Sequence, residues 1–212
     1  LYIKLSITKI FNEKKIIKFF NINFDIFIRT VLLTFSFLWV TYKSSQLGEY
    51  YLAVNTILLQ LIMLASFFLD AYAFSTEAVV GYTIGKKSEN SFLQTVTNSF
   101  QLSIITGLII SIIYFFLFQS IIDLLTDIDY LKYLAFNYFI WIVIIPPIAS
   151  ICYQFDGIFI GASQTSEMRN GMLVSVIIFI ASSHFLVDNF GNHGLWAALL
   201  FFMIMRSITL NY

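Results

Sequence analysis

The chain has 212 residues, of which 59% are hydrophobic, 18% aromatic and only 11% charged, and its mean hydropathy is +0.84. Soluble domains carry roughly twice that charge, so the composition excludes an ordinary soluble protein and predicts an all-α, polytopic membrane protein. Basic and acidic residues balance at 12 each, leaving no basic face to neutralise phosphates, which argues against a nucleic-acid role.

Residues 1–20 alternate lysines (Lys4, Lys9, Lys14, Lys15, Lys18) with Ile, Leu and Phe in a roughly helical rhythm. That pattern reads as a basic amphipathic segment lying on anionic lipid. It does not lead into a short apolar core with a cleavage site, so it is not a signal peptide. A start at Leu1 and an abrupt stop at Tyr212 read as a fragment of a longer protein.

Windows of about 20 apolar residues then predict a six-helix transmembrane bundle over residues 21–212, with spans near 24–42, 51–80, 92–122, 130–155, 168–187 and 195–210. Gly48, Gly85, the segment 123–130, the segment 161–165 and the turn 189–194 punctuate them. Lys86, Lys87 and Arg169 share one side with the basic N-terminal segment, while Asp123, Asp127, Asp129 and Asp188 lie on the other. The positive-inside rule then makes both termini cytoplasmic.

In the first span Arg29 follows Asp25 by four residues, the helical spacing for a local ion pair. The alternative is a pair across helices with Asp70 or Glu77. These two carboxylates are the most informative feature of the chain, because they lie inside a hydrophobic run long enough to cross a bilayer. An ionised group in hydrocarbon is costly unless paired, protonated or used. Seven positions are nearly two helical turns, so Asp70 and Glu77 share a face, roughly 10 Å apart along the axis. Desolvation favours the neutral form of a carboxyl group, which suits a proton carrier. Asn55, Gln60 and Asn137 are candidate polar cavity groups or interhelical hydrogen bonders.

Pro146 and Pro147, the only prolines, fall inside the fourth span, where two lost backbone donors predict a kink or hinge. Gly81-Tyr-Thr-Ile-Gly85 and Gly157-Ile-Phe-Ile-Gly161 have the spacing that lets helices approach closely. Asp156 is expected to cap its helix or to pair locally with Arg169. Arg206, deep in the last span, requires a partner that spacing does not name. The two histidines, His184 and His193, lie at opposite sides of a helix end without a metal-cage or hydrolase spacing. The single cysteine, Cys152, can form neither an internal disulfide nor a thiolate cage. No catalytic residue, metal or cofactor is therefore expected.

Residues 67–85, residues 156–162 followed by Glu167-Met-Arg-Asn170, and the turn Gly191-Asn-His-Gly-Leu-Trp196 together resemble the multidrug and toxic compound extrusion (MATE) transporters, in their DNA-damage-inducible F-like branch. The matches run in order from about Asp25 to Leu210. The resemblance implies the C-terminal six-helix lobe of a twelve-helix protein, with residues 1–20 as the cytoplasmic linker from an N-terminal lobe of the same polypeptide. It also implies a multi-pass antiporter of the bacterial inner membrane, surrounded by lipid, that exports small organic, often cationic and amphipathic compounds in exchange for H⁺ or Na⁺. Asp70, Glu77, Arg29, Asn55 and Asp156 are then the transport and coupling candidates. Some branches carry coupling acids on the first and fourth helices of this lobe, where this chain has only Asp25 and Asp156. In the branch it resembles, proton coupling is usually assigned to the other lobe. A lipid-linked oligosaccharide flippase of the same superfamily is the alternative, and a membrane-embedded lipid-modifying enzyme a more distant one.

Overall fold

The computed structural model describes residues 13–210. Residues 1–12, most of the expected basic linker, lie outside that range, and residues 13–20 form the start of the first helix rather than a separate segment. The described chain is entirely helical: α1 Glu13–Leu47, α2 Glu49–Gly85, α3 Glu89–Leu125, α4 Asp129–Gly161 and α5 Thr165–Thr209. All five are long and apolar enough to cross a membrane. Such segments become helices because hydrocarbon offers no partner for a free N–H or C=O, and a helix satisfies both within itself.

Each helix opens with a carboxylate in its first turn, Glu13, Glu49, Glu89, Asp129 and Glu167, where the positive end of the helix dipole favours it. The connections are short, which forces successive helices to run antiparallel. Gly48 alone joins α1 to α2 at a φ of 131°, open to glycine and strained for other residues. The stops after α2 and α4 share one design. The Ser88 amide donates to Thr83 O and the Lys87 amide to Ile84 O, while the Gln164 and Ser163 amides do the same to Phe159 O and Ile160 O. This closes the free carbonyls of each last turn through a left-handed residue, Lys87 or Ser163.

The structure corrects the expected count of six helices to five. The fifth and sixth predicted spans are both contained in α5, 45 residues long, which if straight would measure about 68 Å, twice the hydrocarbon thickness. It is not straight. Gly191 has a φ of 55° and a ψ of −134°, and beyond it the chain doubles back. The Thr209 hydroxyl lies 3.4 Å from Gly171 O, 38 positions away. At the bend a β-carbon on Gly194 would sit 1.9 Å from Leu186 O, so the two arms, 165–190 and 192–209, touch backbone to side-chain-free backbone. The turn expected at 189–194 is therefore a sharp bend between helical arms.

α2 and α4 lie along each other at the centre, α3 covers both, and α1 packs against α5 and α2. The outward faces carry exposed Phe67, Phe116, Ile177 and Phe185, as a surface facing lipid does. The inner contacts rely on small residues, since apolar side chains gain little by leaving lipid for protein. α4 runs through Pro146 and Pro147 as one helix. Pro147 has no N–H to offer Val143 O, and the Ser111 hydroxyl of α3 donates to that carbonyl instead. Gly107 allows the approach, because a β-carbon there would meet Pro147 Cα at 2.9 Å.

Candidate functional site

The site is built around a glycine contact between α2 and α4. A β-carbon on Gly157 would lie 2.3 Å from Ala73 O, and one on Gly161 2.5 Å from Glu77 O. These backbones can lie so close only because neither glycine carries a side chain. The contact brings Asp156, next to Gly157, to the face of α2 that bears Asp70 and Glu77. α1 closes the third side with Arg29 and Leu33. Together they enclose a cavity of about 150 Å³ whose polar lining is Arg29, Asp70, Glu77, Tyr153 and Asp156. Four of the five transport candidates thus share one cavity.

Asp156 does not pair with Arg169. One of its carboxylate oxygens accepts from two arginines, the Arg29 Nη2 and the Arg206 Nη2, the latter at 2.5 Å. Local spacing led to the wrong partners, because the helices meet at points far apart in sequence. Arg29 accordingly does not pair with Asp25, four residues before it, nor does it form an ion pair with Asp70 or Glu77. Asp25 instead takes Arg169 at 2.5 Å and the Thr165 hydroxyl at 2.9 Å, tying the start of α1 to the start of α5.

Arg206 is only 2% exposed. Its guanidinium lies 5.6 Å from the ring centres of both Tyr153 and Phe202, and Nη1 rests 3.5 Å from Met203 Sδ. Arg29, which lines the cavity, is less enclosed, with 14% of its side chain exposed. The Nε of each arginine is buried and has no partner among the described residues. Asp70 and Glu77 are half-buried, and among the described residues neither forms a hydrogen bond or ion pair. The cavity therefore holds one carboxylate with two cations beside two carboxylates with none.

Asn55 lies elsewhere, at the end of the bundle near Gly48. It is fully buried, and its amide exchanges two hydrogen bonds with Asn192, at 2.6 and 3.0 Å. Its Oδ1 also accepts from Trp196 Nε1 at 3.0 Å, and its Nδ2 donates to Ser44 Oγ at 2.7 Å. This saturated cluster fastens α1 and α2 to the bend of α5. Gln60 and Asn137 are exposed on the bundle surface. His184 is the neighbour of the buried Lys43, 3.1 Å from Nζ, and His193 accepts from Trp141 Nε1 at 3.1 Å.

Sequence reasoning missed the polar seam beside the cavity. The Tyr153 hydroxyl donates to Ser66 Oγ at 2.8 Å and Thr76 Oγ1 donates to Gln154 Oε1 at 2.8 Å, both linking α4 to α2. The signal available was positional: Ser66, Ala73 and Thr76 lie on or beside the stripe of Asp70 and Glu77. Among the described residues no three His, Cys, Asp or Glu side chains converge as a metal cage.

The MatE family model matches residues 26–187. Among curated proteins, DNA damage-inducible protein F of Escherichia coli K12 is 35% identical over 189 residues, covering 89% of this chain and 41% of that protein. Protein DETOXIFICATION 44, chloroplastic, of Arabidopsis thaliana is 25% identical, covering 85% of this chain and 34% of its own length. The chain thus spans about two fifths or less of these relatives. Among solved structures, a MATE protein in its bent conformation superposes with a TM-score of 0.85 at 19% identity, over 92% of this chain and 44% of that one. An outward-facing multidrug resistance MATE transporter of the MOP superfamily gives 0.84 at 19% identity with the same coverage. At that identity the structural likeness concerns the fold.

Proposed function

This chain belongs to the MatE family, and from that premise we propose that it is the C-terminal lobe of a secondary antiporter, with the N-terminal lobe on the same polypeptide. Its two α5 arms serve as the fifth and sixth crossings, and both ends of the lobe face the cytoplasm of a bacterial inner membrane. Substrates are small organic compounds, often cationic and amphipathic, moved by alternating access in exchange for H⁺ or Na⁺. No bond in the substrate is made or broken.

The observation that carries this reading is the cavity between α1, α2 and α4, where Asp70 and Glu77 have no counter-charge within ion-pairing distance among the described residues. Carboxylates inside membrane-spanning helices are costly to keep charged and mark ion or substrate pathways. Asp70 is the proton-exchanging group, Glu77 shapes the potential toward one mouth, and Arg29 limits the negative charge of the pair. Asp156, held by two arginines, braces the site. Asn55 has a structural part, fixing the α5 bend. The oligosaccharide flippase reading calls for a strongly cationic cavity, whereas both arginines near this one are engaged by Asp156.

The test is pH-driven efflux of a fluorescent organic cation from vesicles containing the full-length polypeptide. Wild type is expected to release the dye when a proton gradient is imposed, and Asp70→Asn to lose that dependence. Retained pH-driven efflux in Asp70→Asn removes Asp70 from coupling. Failure of wild type to move any cation, with flipping of a lipid-linked sugar, selects the flippase.

A further inference from the structure

Asp156 has one cation more than its charge needs. Arg206 is clamped between the rings of Tyr153 and Phe202 and almost wholly buried. Among the described residues Arg29 is held only through Asp156 and its buried Nε has no partner. Arg29 and Asp70 border one cavity of about 150 Å³. The charged and titratable groups around Asp70 are Arg29 from α1, Tyr153 and Asp156 from α4, Arg206 from α5 behind Asp156, and Glu77 on its own helix; no α3 residue lines the cavity.

We propose that Arg29 is a switched counter-ion, paired with Asp156 while Asp70 is protonated and turned onto Asp70 when that carboxyl gives up its proton. The inference rests on Asp70 being the proton-exchanging group. The proton leaves Asp70 for water in the cavity, the carboxylic acid becomes a carboxylate, and no other bond changes. Arg206 stays on Asp156 in both states, so neither carboxylate is stranded. A single shared arginine could not do this, because leaving Asp156 would abandon a buried charge. The consequence is mechanical. Arg29 is the bridge from α1 to α4, so deprotonation of Asp70 transfers the grip of α1 from α4 to α2.

Solid-state NMR on the full-length polypeptide in bilayers, with labelled arginine and aspartate, reads the switch in the unmutated protein. The Arg29 guanidinium is expected to contact the Asp156 carboxyl carbon at acid pH and the Asp70 carboxyl carbon at alkaline pH. A contact confined to Asp156 at both pH values overturns the proposal. A second measurement follows the Asp70 carboxyl band by infrared spectroscopy, assigned by its loss in Asp70→Asn. Arg206→Gln keeps Arg29 on Asp156 and should raise the Asp70 midpoint by about one pH unit or more, and clearly less in an Asp156→Asn background, where only the direct field of Arg206 on Asp70 is lost. Equal shifts in the two backgrounds mean a static bridge. A switch that persists without pH-driven efflux refutes the antiporter reading and leaves the switch standing.

Discussion

Asn55 and Asn192, 137 positions apart, exchange both of their amide hydrogen bonds across a fully buried contact. Asn192 follows Gly191, the residue at which α5 reverses, so this pair holds the bend against α2. Asn55→Leu removes the partners of Asn192 and Trp196 together. A destabilisation of about 2–3 kcal/mol is expected from buried polar groups left unmade, read as a lower midpoint in thermal or detergent unfolding.

A glycine at the α2–α4 contact and one at the free end of α2 are predicted to differ sharply. Gly157→Ala places a methyl 2.3 Å from Ala73 O, whereas a β-carbon on Gly85 meets nothing within 4 Å. Overpacking of this kind costs about 1–3 kcal/mol or more. Gly85→Ala should be neutral or stabilising by up to about 1 kcal/mol, since alanine suits a helix better than glycine. Unfolding midpoints of the two variants, measured side by side, decide the matter.

Asp156→Leu leaves Arg206 buried with its carboxylate gone. Breaking a buried pair from one side costs about 3–5 kcal/mol, while replacing both partners by apolar groups is often close to neutral. Arg206→Met added to Asp156→Leu should therefore recover a large part of the lost stability. If the double variant is no more stable than the single one, the pair is not what holds α4 to α5 there.

The hydrogen bond from Ser111 to Val143 O replaces the amide that Pro147 lacks. Ser111→Ala is expected to cost about 1–2 kcal/mol in the native background. In a Pro147→Ala background the restored amide satisfies Val143 O within its own helix, and Ser111→Ala should cost little. A double-mutant cycle on unfolding free energies measures this coupling directly.

Several features were readable because they depend only on neighbours along the chain. The apolar runs fixed where helices form, since their length and the demand for internal hydrogen bonds leave no other structure in a bilayer. Asp70 and Glu77 share a cavity because a period of 3.6 residues places them on one face. Gly157 and Gly161 mark a close approach because only glycine tolerates one. The segment 189–194 was recognisable as a break, and Gly191 there departs from helical geometry at the bend between the two arms of α5.

The ion pairs were not readable in this way. Local rules assign Asp25 to Arg29 and Asp156 to Arg169, whereas the structure joins Asp25 to Arg169 and Asp156 to Arg29 and Arg206. Local spacing offers each side chain only the partners one turn away. Packing offers others at 127, 144 and 50 positions, and the burial of Asp156 and Arg206 makes those pairs the ones that must form. The sequence by itself thus determined the membrane-spanning helices, the acidic stripe and the family. The tertiary structure decided which charges are neutralised, and so which carboxylates remain free, because desolvation and distance are set only when α1, α2, α4 and α5 meet.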